Sequence, residues 1–177
     1  MPATTRLIRL EDAARLAELQ RAGREFLAPW EPARTEHDFT EDGQRRFVAD
    51  ALAQHRRGDA LPHVVLDDDG EVVGRMTLSG IVLGVWCSAN LGYWIAEHAN
   101  GRGYATDGVR AMAAIGFGEL GLHRIQAVTL RHNARSQRVL EKAGFEHIGM
   151  APKYLRIAGR WQDHEMFQLL AHDRDVE

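Results

Sequence analysis

Apolar positions change period several times along the chain, and each change marks an element. Thr5 to Leu10 reads as a short strand, and Asp12 is placed to cap a helix running to about Phe26. Leu27-Ala28-Pro29-Trp30-Glu31-Pro32 follows, where two prolines forbid regular structure and leave a stiff loop carrying a tryptophan. From Glu41 to Arg57 the apolar residues Phe47, Val48, Ala51 and Leu52 repeat at helical spacing, and Gly58 ends the segment. His63 to Leu66 and Glu71 to Leu78 are strands joined by the tight turn Asp67-Asp68-Asp69-Gly70, which makes them a hairpin. Leu91 to Ile95 is another strand. The cleanest period runs through Ala105, Val109, Met112, Ala113, Gly116, Phe117 and Leu120, one face of a helix from Tyr104 to about Phe117. Ile125 to Leu130 is a strand, and Asn133 to Ala143 a short helix closed by Gly144. Glu146 to Ile157 is extended, Ala158-Gly159 turns it, and Trp161 to Leu170 alternates as a last strand. The order β-α-α-β-β-β-α-β-α-β-β predicts a mixed α/β sheet with an antiparallel first half. No repeat or linker interrupts it, so residues 1–177 are expected to form one domain.

Composition narrows the class without choosing a function. Hydrophobic residues at 45% and charged residues at 27% are enough to fill one sizeable core. Lys plus Arg is 22 against 25 for Asp plus Glu, a net charge of −3, so no basic surplus calls for a nucleic-acid backbone as partner. The single cysteine, Cys87, rules out an intrachain disulfide and a Cys-rich zinc site. The nine histidines include no His-x-x-x-His or Glu-x-x-His helix pair, so no metal site is expected. Asp67 to Asp69 lacks the rest of an EF-hand loop and reads as a solvated hairpin tip. No apolar run approaches the ~18 residues that span a bilayer, and MPATTRLIRLEDAARL has no apolar core of the leader type. A soluble, cytoplasmic protein with no membrane partner is the expectation.

The sharpest local signal is Ile95-Ala96-Glu97-His98-Ala99-Asn100-Gly101-Arg102-Gly103-Tyr104-Ala105-Thr106. Here a strand ends, glycines turn the chain and a long helix begins. A helix start leaves backbone N–H groups unpaired and carries a partial positive charge, and glycines let an anion approach closely. Two nucleotide motifs fail on spacing. A dinucleotide fingerprint wants glycine or alanine where Thr106 stands, and a P-loop wants a lysine that Gly101 to Thr106 does not contain.

These residues resemble the GNAT N-acetyltransferases, in particular the RimJ/RimL-like branch that acetylates protein N-termini. His98-Ala99-Asn100-Gly101-Arg102-Gly103 matches the family's Gln/Arg-x-x-Gly-x-Gly/Ala signature except at His98. Leu91-Gly92-Tyr93-Trp94-Ile95 is similar to the branch's fourth strand, and Asn133-Ala134-Arg135-Ser136 to the Asn-x-x-Ser segment after its fifth. His123-Arg124-Ile125, Ala143-Gly144-Phe145, Gly159-Arg160-Trp161-Gln162-Asp163-His164 and the Leu27 to Pro32 loop resemble further segments, all in order.

The resemblance implies the acyl-CoA N-acyltransferase fold, a mixed six- to seven-stranded sheet with a V-shaped split between strands four and five that takes acetyl-CoA. The pyrophosphate would sit on Gly101, Arg102, Gly103, Tyr104, Ala105 and Thr106, and the pantetheine amides on the backbone of Trp94, Ile95 and Ala96. Asn133 would hold the pantetheine arm, cap its helix, or both. Ser136 is the candidate acid for the departing thiolate, with a local capping bond as the alternative. Members of the branch can place a glutamate before Tyr-Leu near the C-terminal strands, but here Pro152-Lys153-Tyr154-Leu155 carries no carboxylate. Glu97, acting through a water, is the substitute base, with Asp163 and Glu165 in reserve. Trp30 and Tyr93 would wall the acceptor groove with Glu31 near the incoming amine, or Trp30 would simply anchor its loop. An α-amine of pKa about 7.7–8 is partly neutral near pH 7.5, whereas a lysine at about 10.4 is neutral in roughly one molecule per thousand. A site without a strong base therefore suits an N-terminal amine. The implied function is transfer of acetyl from acetyl-CoA to the N-terminal amine of a ribosomal or other protein. The alternatives are a small amine such as a polyamine or antibiotic, or a non-catalytic acyl-CoA-binding module. A homodimer is compatible with the branch.

Overall fold

Seven strands and five helices make up the computed structural model, which describes residues 4–171; positions 1–3 and 172–177 of the expected domain lie outside the described residues. The strands are β1 (Thr4–Leu7), β2 (Ala60–Leu66), β3 (Val72–Val82), β4 (Ser88–Ile95), β5 (Arg124–Leu130), β6 (Glu146–Ile157) and β7 (Arg160–Leu170). The helices are α1 (Ala13–Ala22), α2 (Arg24–Leu27), α3 (Glu41–Arg56), α4 (Tyr104–Gly118) and α5 (Ala134–Lys142). The strands form one sheet in the order β1-β2-β3-β4-β5-β7-β6. Every neighbouring pair is antiparallel except β4 with β5. The predicted mixed sheet is therefore present.

Both faces of the sheet are covered, which is why β2 is buried almost throughout rather than on alternate residues. On one face Leu16 and Leu19 of α1 and Val48 of α3 pack with Val64, Val72 and Trp94. On the other, Val109 and Met112 of α4 meet Met76, Leu78 and Ile125. A Cβ on Gly108 would stand 2.6 Å from Met76 Cε, so the absence of a side chain there lets α4 lie directly on the sheet.

Some boundaries differ from the sequence expectation. β1 stops at Leu7 because the chain turns into Leu10–Asp12, where Asp12 takes Arg9 N–H at 2.7 Å and a two-pronged bond from Arg6 at 2.7 and 2.8 Å. Burial alone would raise the Asp12 carboxyl, but Arg6 and the Arg9 amide together hold it below the usual range. The first predicted helix divides at Gly23 into α1 and α2. β3 and β4 are longer than expected, reaching Val82 and starting at Ser88.

The feature that positions the site is a short contact. β4 and β5 pair only through Ser88 with Arg124, Ala89 with Ile125 and Asn90 with Gln126. Beyond those rungs β4 stays on β3 up to Ile95, and β5 stays on β7 up to Leu130. The sheet splits there into a V.

Candidate active site

The N–H of Ala96 donates to Val73 O at 2.8 Å, so at this residue β4 faces β3. Backbone groups alternate sides along a strand, which turns Trp94 and Gly92 towards β3 as well. The N–H and C=O of Tyr93 and Ile95 therefore point into the V. Of Trp94, Ile95 and Ala96, expected to take the pantetheine amides, only Ile95 turns its backbone to the V; the Trp94 and Ala96 amides belong to β3.

At the end of β4, Asn100 Nδ2 donates to Ala96 O at 2.9 Å and Ile95 O at 3.3 Å, folding the chain back before the glycines. Gly101 (φ 78°) and Gly103 (φ 92°) take left-handed conformations that favour glycine, and Gly103 precedes α4. The first bond closing α4 runs from Asp107 N to Gly103 O at 3.1 Å, so the amides of Tyr104, Ala105 and Thr106 remain for a ligand. They open on a cavity of about 510 Å³ that also receives Arg135, Arg138 and Lys142 of α5, and no carboxylate lines it. The spacing i, i+3, i+7 puts those three cations on one helix face. The Arg102 side chain turns elsewhere, to Asp68 at 3.6 Å, which also accepts the Tyr104 hydroxyl at 3.1 Å. His98, the departure from the family signature, lies outside this cavity. It lines a separate depression with Leu19, Ala22 and Glu97. The structure thus leaves Glu97 exposed and does not bring it to Ser136.

A trough of about 670 Å³ continues from the anion cavity, sharing Ile95, Ala105, Arg135 and Val139 with it. Through Trp30, Tyr93, Asn133 and Ser136 it runs into a cleft of about 330 Å³. Asn133 Oδ1 accepts Ser136 N–H at 3.1 Å, as a helix cap does, while its NH2 group makes no bond to the described residues. The Ser136 and Tyr93 hydroxyls are bonded at 2.8 Å, and the Tyr93 hydroxyl is also 3.3 Å from Ser136 O. Burial pushes the Tyr93 phenol up to about 12, against a smaller opposing pull from Ser136. It remains a protonated donor. Trp30 rests against His132 with ring centroids 5.4 Å apart, and Glu31 pairs with Arg34 at 2.7 Å. Glu31 O accepts Ala158 N–H at 2.9 Å and ties the proline loop to the β6–β7 turn, so this loop is both wall and anchored strap.

Two cleft residues were not singled out from the sequence for a role here. Arg75 of β3 lines the cleft, and so does His164 of β7. His164 Nδ1 donates to Gln162 O at 2.9 Å, which leaves Nε2 with a lone pair and no partner among the described residues. The trace of His164 in the sequence is its place in the Gly159–His164 segment; nothing local marks Arg75. The reserve acids are engaged. Asp163 Oδ1 accepts Lys153 N–H at 2.9 Å, holding Lys153 left-handed (φ 49°) in a β6 bulge. Glu165 meets His147 at 2.7 Å and Arg131 at 3.1 Å, which hold its carboxyl below the usual range. Cys87 lies just before β4, at the end remote from the V, with Sγ on Gly121 O at 3.1 Å. Trp94 Nε1 and Thr129 Oγ1, both from residues lining the cleft, are buried without a partner among the described residues.

Residues 4–146 match the acetyltransferase (GNAT) domain family. The chain belongs to the GNAT acetyltransferases. It is 34% identical over 169 residues to the ribosomal protein uS5-alanine N-acetyltransferase of Escherichia coli K12, covering 95% of this chain and 87% of that one. The ribosomal-protein-S5-alanine acetyltransferase structure from Vibrio fischeri superposes with a TM-score of 0.91 at 30% identity, covering 98% of this chain and 95% of that chain. Mycobacterium smegmatis RimJ, solved with a CoA-disulfide, gives 0.92 at 30% identity, with 99% and 85% covered. The chain is an N-acetyltransferase of the RimJ/RimL kind.

Proposed function

We propose that this GNAT enzyme moves the acetyl group of acetyl-CoA to the N-terminal α-amine of a protein, of the ribosomal class named for its relatives, within a ternary complex. The observation that carries this reading is the unbroken passage from a three-cation cavity, past the backbone groups of Tyr93 and the N–H of Ile95, to the Tyr93–Ser136 pair. Free amides at the start of α4 and the cations of α5 suit a pyrophosphate. The backbone of Tyr93 and Ile95, with the NH2 group of Asn133, suits an extended amide-bearing chain that adds to β4 as a strand would.

Acetyl-CoA supplies a thioester whose carbonyl an amine attacks. Ile95 N–H is the candidate group to polarise that carbonyl oxygen. The acceptor amine enters through the cleft and forms the new C–N bond as the C–S bond breaks. Ser136 gives its hydroxyl proton to the departing thiolate sulfur, Tyr93 replaces it across their hydrogen bond, and solvent in the trough returns a proton to Tyr93. His164 Nε2 takes the proton the nitrogen sheds. An imidazole suffices for an α-amine, which already loses its proton near pH 7.7–8 or about there.

The test follows thiol release from acetyl-CoA with peptides beginning Ala, Ser or Met, beside spermidine and an aminoglycoside, and locates the acetyl group by mass spectrometry. Release with a peptide labelled on its α-amine is the expected result. Release with the small amines alone, or with none of these acceptors, would overturn the proposal.

A further inference from the structure

The acceptor cleft contains a cation that no acid among the described residues pairs with. Arg75 lies on β3 opposite Trp94 of β4, and its guanidinium stacks 3.9 Å above the Phe47 ring of α3. Stacking uses the flat face and leaves the in-plane N–H groups free. Arg75 makes no ion pair and no hydrogen bond with the described residues. Glu31, the acid whose charge it feels, is already held by Arg34 at 2.7 and 2.8 Å. Burial, with Arg34 adding its repulsion, pulls Arg75 down to about 10. A half-buried guanidinium given no counter-charge is costly, and a ligand that brings one recovers that cost.

We infer that Arg75 is a specificity-determining subsite for a carboxylate carried by the acceptor, the side chain of an aspartate or glutamate among its second to fourth residues. The inference rests on reading this cleft as the acceptor end of the passage. β3 lies one strand spacing, about 4.8 Å, to the side of β4, and an extended peptide advances about 3.4 Å per residue. A residue shortly behind the reacting amine therefore comes abreast of Arg75. Thr77 and Ser79, which follow on the same side of β3, line the cleft with donors rather than acids. The same arrangement works against polycations. Arg75 faces an incoming polyamine, and Glu31, the carboxylate lining this cleft, is already paired with Arg34.

The experiment uses the full chain with matched peptides beginning with alanine, in which glutamate or glutamine occupies position 2, 3 or 4. Both kcat/KM and the Kd for the enzyme–CoA complex, by calorimetry, are measured. One glutamate peptide should exceed its glutamine twin by about 10- to 100-fold, the range of a bond to a charged group. Arg75→Met should bring that ratio to near one by lowering kcat/KM for the glutamate peptide, with CoA affinity within about twofold; Arg75→Lys should keep part of it. Equal behaviour of every glutamate–glutamine pair in the wild type, or an unchanged ratio in Arg75→Met, would overturn the proposal. Should Arg75→Met fail to fold, the wild-type ratio and Arg75→Lys decide. Peptides that bind with the expected ratio but are never acetylated would refute the transferase reading and leave the subsite standing. Acetylation with no ratio would do the reverse.

Discussion

Replacing Ser136 by alanine and Tyr93 by phenylalanine, singly and together, tests how the leaving group acquires its proton. The two hydroxyls are 2.8 Å apart and half-buried or deeper, and Tyr93 sits at about 12. Against an ordinary value near 10 the phenol is about 3 kcal/mol harder to ionise than in water. It therefore passes a proton on only as Ser136 releases its own. Loss of a positioned acid costs roughly 10²- to 10⁴-fold, so Ser136→Ala should lower kcat by about 100-fold or more and change CoA affinity less than threefold or so. Tyr93→Phe leaves the serine hydroxyl, which water can recharge, and should cost about tenfold. The double variant should match Ser136→Ala, because the relay is already cut. Thiol release at saturating acetyl-CoA and acceptor reads each rate. Losing the buried bond costs about 1 kcal/mol of stability, a Tm drop of about 2–4 °C at this size, which melting separates from catalysis. The wild-type rate should climb with the acceptor amine around pH 7.7–8 and then hold through pH 10 or so, since a group at about 12 is still protonated there. Effects of the two substitutions that multiply in the double variant, or a falling limb between pH 8 and about 10, would refute the relay.

Three further outcomes follow from the same geometry. His164→Gln should depress turnover about tenfold near pH 7 and converge on wild type above about pH 9.5, where the acceptor amine is neutral without help; a constant deficit across pH would mean that the imidazole only holds the cleft in shape. Arg138→Gln with Lys142→Gln should weaken CoA binding about tenfold in dilute buffer and much less at about 1 M salt; an affinity insensitive to both changes would remove α5 from the anion site. His63 is pulled down to about 4 chiefly by burial, with His55 and Arg6 adding. Unfolded, it gains its proton near pH 6.5, so its contribution is whole above about 6.5 and drains away towards 4, up to about 3 kcal/mol. Melts from pH 7.5 to 4.5 should fall less steeply for His63→Asn, and parallel slopes would refute the assignment.

The elements were legible where one physical signal dominated. The stripe from Ala105 to Leu120 announces α4, and Asp67 to Gly70 announces the β2–β3 turn, because periodicity and turn chemistry are local. Pro62 hides the start of β2. Its carbonyl accepts Ile8 N–H at 3.0 Å, and the N–H it lacks would point to that same side, past the last β1–β2 rung at Leu7 and His63. The proposed anion end of the site is the part visible in Gly101 to Thr106, since a glycine turn entering a helix carries its chemistry in the backbone. Arg135, Arg138 and Lys142 stand in the sequence at a spacing that shares a face, but only the packing of α5 against the V gives that face a purpose. Arg75 and His164 were illegible for a related reason. Register places them, one opposite Trp94 and the other opposite Leu130, and register is a property of pairs of strands. Glu97 stands out by its nearness to the glycines, yet its side chain leaves on the side of Leu19 and Ala22.

The three rungs joining β4 to β5 give β4 two unlike edges. Amides of Gly92, Trp94 and Ala96 are sealed against β3, while those of Tyr93 and Ile95 meet the open V. Deuterium should therefore enter this one strand at every second residue, a comb-like record of exchange in the interior of the sheet. A chain of amides laid in the V would fill the missing teeth and couple the β1–β4 half of the sheet to the β5–β7–β6 half. Substrate occupancy would then be written directly into the cooperativity of the fold, with the cofactor serving as part of the sheet's own framework.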